Sequence, residues 1–221
     1  MIAIVADIHG NLPALQAVLK ELKQDNISLI YSLGDVAGYY PLINECIELL
    51  KENEIMHILG NHDNYLVNNV VCARSTKVNQ SIEYQRSVIT NENLLWLSSA
   101  PLFLVNDLFF MVHGGIKDYL EEYSNLSEID IEQDMFFCGH THIQQYITDG
   151  TKHFCNPGAV GQPRDRDSRA AYAVIDDVGR IVLRRVSYSI SSIADATRKA
   201  GFSSDFYQGL YSGEAIGVKG R

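Results

Sequence analysis

Three short apolar runs open this chain, IAIVA (2–6), SLIYSL (28–33) and IMHIL (55–59), and two stretches of helical periodicity separate them. That alternation constrains the fold more than any other feature. Asn11 is placed to cap the first helix, in which Leu12, Leu15, Val18, Leu19 and Leu22 fall on one face. The second, PLINECIELLKE (41–52), carries Pro41 near its first turn. Strand, helix, strand, helix, strand is the signature of βαβ units and predicts a parallel sheet.

The rest of the chain reads differently. Residues 64–98 lack strand periodicity and are expected to be helical, with Trp96 in a core. FLVND and LFFMVH predict a hairpin through Asn106-Asp107. MFFCG, QQYIT, KHFCN, AAYAVID and RIVLRRV follow as short strands, with Asp149-Gly150 and Val178-Gly179 as hairpin turns. A last helix is expected over 190–200, then a poorly ordered Gly-rich tail from 209. No repeat, low-complexity segment or linker divides the 221 residues. The expectation is one domain, 1–221, in which two sheets are flanked by helices.

Composition excludes several classes. With 46% hydrophobic and 20% charged residues, this is ordinary globular protein. No apolar run approaches the roughly 20 residues that span a bilayer. The start, MIAIVADIHG, lacks the basic segment of a signal peptide. A cytoplasmic protein with no membrane partner is therefore expected. A formal charge of −9 argues against non-specific nucleic-acid binding. Cys46, Cys72, Cys138 and Cys155 form no C-x-x-C pair and are expected to be buried free thiols. The oligomeric state stays open, a homo-oligomer included.

The polar residues collect at the strand ends. The first strand ends in Asp7-Ile8-His9, the second in Gly34-Asp35 and the third in Gly60-Asn61-His62-Asp63. Later strands end in His113-Gly114-Gly115 and Gly139-His140-Thr141-His142. Loops beyond the carboxyl ends of strands in open α/β sheets are where ligands bind. Carboxylates, imidazoles and one amide oxygen suit two borderline divalent ions such as Mn, Fe, Zn, Co or Ni. Asp-x-His and His-x-His would put alternate side chains on one side of an extended segment. A lone Gly-Asp is most often a turn, but five such elements in order are hard to explain by turns. His57 and His153 read as satisfied core residues.

The motifs DIHG, GD, GNHD, HGG and GHTH resemble the signature of the calcineurin-like metallophosphoesterase superfamily. DIHGNLPAL, LGDVAGYYP and NPGAVGQPRD are similar to its small bacterial and archaeal phosphodiesterase branch, over roughly residues 1–190. The resemblance implies a four-layer αββα sandwich, an α/β (α+β) fold with two mixed sheets. It implies one metal held by Asp7, His9, Asp35 and His142, and a second by Asp35, Asn61, His113 and His140, with Asp35 bridging. It further implies hydrolysis of a small phosphate-ester substrate by a metal-bridging hydroxide, manganese being the foremost metal. His62 would be the general acid, with Asp63 orienting it. Arg164 and Arg166 could hold the non-reacting part of the substrate, or pair with Asp165 and Asp167 at the surface.

Two departures matter. The large Ser/Thr phosphatases of the superfamily follow Gly-Asp with a segment whose Arg grips phosphate, and here the chain runs Gly34-Asp35-Val36-Ala37-Gly38-Tyr39-Tyr40. The branch more often has Gly-Tyr-Gly where this chain has Gly38-Tyr39-Tyr40, so Tyr40 either narrows the pocket or does nothing. A phosphodiesterase is the leading expectation. A phosphomonoesterase, a dinucleoside polyphosphate hydrolase and a non-catalytic scaffold are the alternatives.

Overall fold

The computed structural model describes residues 1–124 and 129–217. The first sheet contains β1 (Ile2–Val5), β2 (Ile30–Ser32), β3 (Met56–His57), β9 (Ala170–Ile175) and β10 (Ile181–Val186), in the order β10-β9-β1-β2-β3. The second contains β4 (Phe103–Val105), β5 (Phe109–Val112), β6 (Met135–Cys138), β7 (Gln145–Thr148) and β8 (His153–Asn156), in the order β4-β5-β6-β8-β7. Each sheet has three parallel strands at its centre or edge and is completed by antiparallel ones. The expected α/β fold with two mixed sheets is thus observed.

Six α-helices lie among the described residues: α1 (Leu12–Gln24), α2 (Ile43–Glu52), α3 (Asn61–Val67), α4 (Thr76–Val88), α5 (Asn91–Ser98) and α6 (Ile190–Lys199). Asn11 does cap α1, its side-chain oxygen accepting from the Ala14 N–H at 3.3 Å. Pro41 falls one residue before the cap of α2. None of the helices is long and apolar enough to cross a membrane.

The strands explain themselves by their period of two. In β1, Ala3 and Val5 face the helices, while Ile4, and Ala6 just after the strand, face the second sheet. There they meet Phe109 and Met111 of β5, Phe137 of β6 and Cys155 of β8. The outer face of the second sheet stacks Phe110 on Phe136 and Phe136 on Phe154, with ring centroids 5.9 and 6.0 Å apart. Ile116, Tyr119, Ile129 and Ile131, from the connection between β5 and β6, cover it.

All four cysteines are buried and free. Trp96 is half-buried and stacks on His57, with centroids 5.4 Å apart. Residues 209–217, where disorder was expected, make specific contacts: Leu210 is buried, and the Gly213 carbonyl accepts from the Arg166 N–H at 2.9 Å. Residues 218–221 lie outside the described residues.

Phe137 fills the space between the sheets with no exposure. Phe137→Ala should cost about 3–5 kcal/mol, as large-to-small core changes do. For a chain this size the melting temperature should fall by about 2–4 °C per kcal/mol. Val178→Ala, at a turn position 74% exposed, should stay within about 0.5 kcal/mol. Equal losses in the two variants by thermal melting would contradict this placement of the core.

Candidate metal centre

The five polar strand ends meet at one edge of the two sheets. Register sets them level: the Asp7 N–H donates to Gly34 O (3.1 Å), His9 N–H to Asp35 O (2.9 Å) and Gly139 N–H to His113 O (2.9 Å). The sheets are stitched together here, because His113 Nδ1 reaches across to Leu33 O at 2.7 Å and Asp7 Oδ2 accepts from the His140 N–H at 3.2 Å. Gly60 makes the approach possible. A Cβ there would come within 2.1 Å of Asp35 Oδ1.

Asp7, His9, Asp35, Asn61, His62, His113, His140 and His142 are all buried. Asp7 Oδ1 lies 3.8 Å from His9 Nε2 and 3.4 Å from His142 Nε2. Asp35 Oδ2 lies 3.7 Å from His9 Nε2 and 3.4 Å from His113 Nε2, so it stands between two groups of donors. In the second group, Asn61 Oδ1 lies 3.0 Å from His113 Nε2 and 3.2 Å from His140 Nδ1.

The motif segments are not extended, contrary to the expectation that alternate residues would share a side. Asp7, His9, Asp35, Tyr39, His140 and His142 all have left-handed backbone, with φ between 50° and 67°. Such residues are uncommon and cost free energy, and they concentrate at functional sites. The twist separates the two imidazoles of His-x-His. His142 joins the Asp7 group and His140 the Asn61 group.

Hydrogen bonds decide which imidazole atom faces inward. Nδ1 of His9 donates to Ala37 O (2.6 Å), of His113 to Leu33 O (2.7 Å) and of His142 to Gln162 O (2.6 Å). Each ring then turns Nε2 to the centre. His9 Nε2 and His142 Nε2 face each other at 3.2 Å with both N–H groups already used. Two lone pairs at that distance are unfavourable unless a cation lies between them. Asp7 Oδ1 beside them has no hydrogen-bond partner although it is buried. The donor set therefore fits a divalent cation.

Electrostatics agree. Burial pushes the carboxyl of Asp7 up to about 7. Burial lowers His9 to about 4, His62 to about 3 and His140 to about 3, and takes His142 well below its usual range. Burial acts against ionisation at Asp35 and His113 too, but the two charges stabilise each other. Asp35 ends well below the usual carboxylate range and His113 rises to about 9. Neutral His9, His140 and His142, with bare lone pairs beside the carboxylates, are ready to ligate.

Two expectations need correction. The carboxylate of Asp63 does not orient His62. It accepts from the backbone N–H groups of Asp35 (2.8 Å), Ala37 (2.8 Å) and Gly60 (3.0 Å), and its Oδ2 meets His57 Nε2 at 3.1 Å. As the third residue of α3, it is placed to gather the backbone of two loops rather than a neighbouring ring. His62 Nδ1 has no hydrogen-bond partner. Arg166 is exposed and does not line the cavity, because the chain reverses there at φ 65°. Arg164 does line it, held by Gln162 Oε1 (2.8 Å) and the Tyr39 hydroxyl (2.7 Å). Asp165 and Asp167 pair instead with Arg185 and Arg169.

Several residues of the site went unread in the sequence. His57 is the buried, satisfied residue expected, and its ring links Asp63 to Ser32 Oγ (2.9 Å), whereas His153 is half-buried, bonded to the Tyr146 hydroxyl and stacked on its ring. Tyr40 is packed in the core, and it is Tyr39 that lines the cavity. Gln85 pins the 38–40 loop by accepting from Gly38 N–H (2.7 Å) and donating to Tyr40 O (2.7 Å). Ser81 and Gln85 interrupt the buried stripe of Val78 and Ile82 on α4, which is the signal that could have found them.

The cavity over these residues measures about 190 Å³, and Asp35, Tyr39, Asn61, His62, Arg74, Tyr123, His140, His142 and Arg164 are among those that line it. A larger and shallower groove of about 730 Å³ between α1 and α2 contains none of the strand-end residues. The chemistry lies with the smaller one.

Residues 1–178 match the model of the calcineurin-like phosphoesterase superfamily domain. The chain belongs to that superfamily. It is 33% identical to an uncharacterized protein of Methanocaldococcus jannaschii, covering 86% of this chain and 88% of that protein. It is 26% identical to the Escherichia coli phosphodiesterase YfcE, over 78% of this chain and 85% of that one. The crystal structure of a metallophosphoesterase from Sphaerobacter thermophilus superposes with a TM-score of 0.84 at 29% identity, covering 96% of this chain and 98% of that one.

The site predicts how the metal-free protein responds to acid. Below about pH 6.5 the unfolded chain protonates His9, His62, His140 and His142, while the folded site refuses those protons. The stability they contribute is complete above that pH and is lost as pH falls. Asp7 opposes them, since its raised carboxyl favours the folded state at low pH and loses that contribution as pH rises through about 7. His113 is protonated in both states below 6.5 and is neutral to the balance there. Four groups outweigh one. The urea midpoint of chelator-treated protein should therefore fall from pH 7 to pH 5, and a flat or rising midpoint would contradict the buried neutral imidazoles.

Proposed function

We propose that the protein is a phosphodiesterase that hydrolyses small phosphate esters with two divalent cations, manganese foremost. The observation that carries this reading is the pair of facing lone pairs on His9 and His142 beside the unpartnered Asp7 Oδ1. A second donor group, Asn61, His113 and His140, lies on the other side of Asp35. Asp7, His9, Asp35 and His142 would hold one cation, and Asp35, Asn61, His113 and His140 the other. When bound, such a pair lowers the pKa of a water and offsets charge on the phosphoryl oxygens.

The remaining work falls to the chain's own groups. Arg164 is held in place by Gln162 and Tyr39 before substrate arrives, and it keeps further N–H groups for a phosphate oxygen. A guanidinium fixed in advance loses little freedom on binding. His62 is held by its own N–H, which donates to Asp35 Oδ1 at 2.8 Å, and its ring lines the cavity. Its ring is neutral in the free site. A diester anion held by Arg164 adds negative charge beside it and favours the protonated form, which then supplies the proton to the departing oxygen. Similarity to a phosphodiesterase over most of the chain supports the diester as substrate.

The manganese-supplemented protein should cleave bis-p-nitrophenyl phosphate. A nitrophenolate leaves readily as an anion, whereas an alkyl or nucleoside alkoxide needs a proton. His62→Ala should therefore keep its metals yet lose about 10²–10⁴-fold on alkyl or nucleoside esters, the usual worth of a general acid. Its loss on nitrophenyl esters should be far smaller. Parallel losses across the leaving-group series, or loss of metal, would contradict the assignment.

A further inference from the structure

Among the candidate metal ligands, Asn61 alone ends in one atom that can ligate and one that cannot. Only its Oδ1 can ligate, and a half-turn of the amide would offer Nδ2 instead. Something must fix the turn. In the structure Oδ1 faces His113 Nε2 and His140 Nδ1 at 3.0 and 3.2 Å. Nδ2 points the other way and donates to the Tyr65 hydroxyl at 3.3 Å and to Glu121 Oε1 at 3.4 Å.

The two acceptors are themselves held. Tyr65 lies four residues after Asn61 on α3, hence on the same face of that helix. Its hydroxyl donates to Glu121 Oε1, so its oxygen is left to accept from Asn61. The other carboxylate oxygen of Glu121 is in an ion pair with Arg74, which also lines the cavity. Tyr65 is buried and Glu121 partly so. Turning the amide over would set its carbonyl oxygen against the Glu121 carboxylate and its N–H groups against the ligand side.

We infer that Glu121, acting with Tyr65, is a positioning residue that holds the Asn61 amide with its oxygen toward the second metal. Neither residue touches the reacting atoms. Their effect is on the affinity of one metal of the two, which separates it from a general contribution to folding. The inference rests on the two-metal reading above, and the test distinguishes the failure of each.

The test is calorimetric titration of chelator-stripped full-length protein with manganese chloride, comparing wild type, Glu121→Ala, Glu121→Gln and Tyr65→Phe. Wild type should show two sites. Glu121→Ala should weaken one of them by about 10–100-fold, the usual cost of removing a group that orients a ligand, and leave the other unchanged. Tyr65→Phe, which keeps the ring and removes only the oxygen, should weaken the same site less. Glu121→Gln retains a carbonyl acceptor without the charge and should recover most of the affinity. That recovery separates a hydrogen-bond role from long-range attraction between a carboxylate and the cation. Unchanged affinity in Glu121→Ala and Tyr65→Phe, equal weakening of both sites, or no recovery in Glu121→Gln would overturn the inference. Fewer than two sites in wild type would overturn the two-metal reading and the inference with it.

Discussion

Three imidazole N–H groups, each committed to a backbone carbonyl, govern what this site can be. His9, His113 and His142 bond Ala37, Leu33 and Gln162 through Nδ1, and all three carbonyls belong to loops at the same edge of the two sheets. Once those N–H groups are used, Nε2 of His9 and of His142 can only accept, and burial keeps both from taking protons instead. His113 beside Asp35 is the exception, with a raised proton affinity. A divalent cation is the species that answers all these lone pairs at once. Everything else in the structure serves to bring them within reach of one another.

That convergence has a cost, visible in the backbone. Six residues at the centre take left-handed φ, and none of the six is a glycine or an asparagine. Strain of this kind persists only where the surroundings over-determine it. Here the surroundings are Asp63, whose carboxylate collects three backbone N–H groups, and Gln85, which grips the 38–40 loop from α4. The apolar layer between the sheets, with Phe109, Met111 and Phe137 at its heart, holds the two halves of the centre together.

Much of this was legible from the residues in order. The period-two strands, the Asn106-Asp107 hairpin and the cap at Asn11 follow from local physics, and each appears where it was expected. The residues of the centre were legible because five polar, Gly-bearing ends each follow an apolar strand. What stayed hidden depends on partners far away in the chain. Asp63 follows His62, which invites a pairing, yet its carboxylate bonds Asp35 and Ala37 from another loop. Tyr39 and Tyr40 are indistinguishable as letters, and only the packing sends one to the cavity and the other to the core. Arg164 and Arg166 look equivalent until the reversal at Arg166 turns it outward. Glu121 sits in a polar stretch with no periodicity, so nothing local marks it.

The most direct test of the central claim is anomalous diffraction from crystals grown with manganese. Two peaks should appear, one among Asp7, His9 and His142 and the other among Asn61, His113 and His140, both in contact with Asp35 Oδ2. A single peak, or manganese bound only away from these residues, would contradict the account.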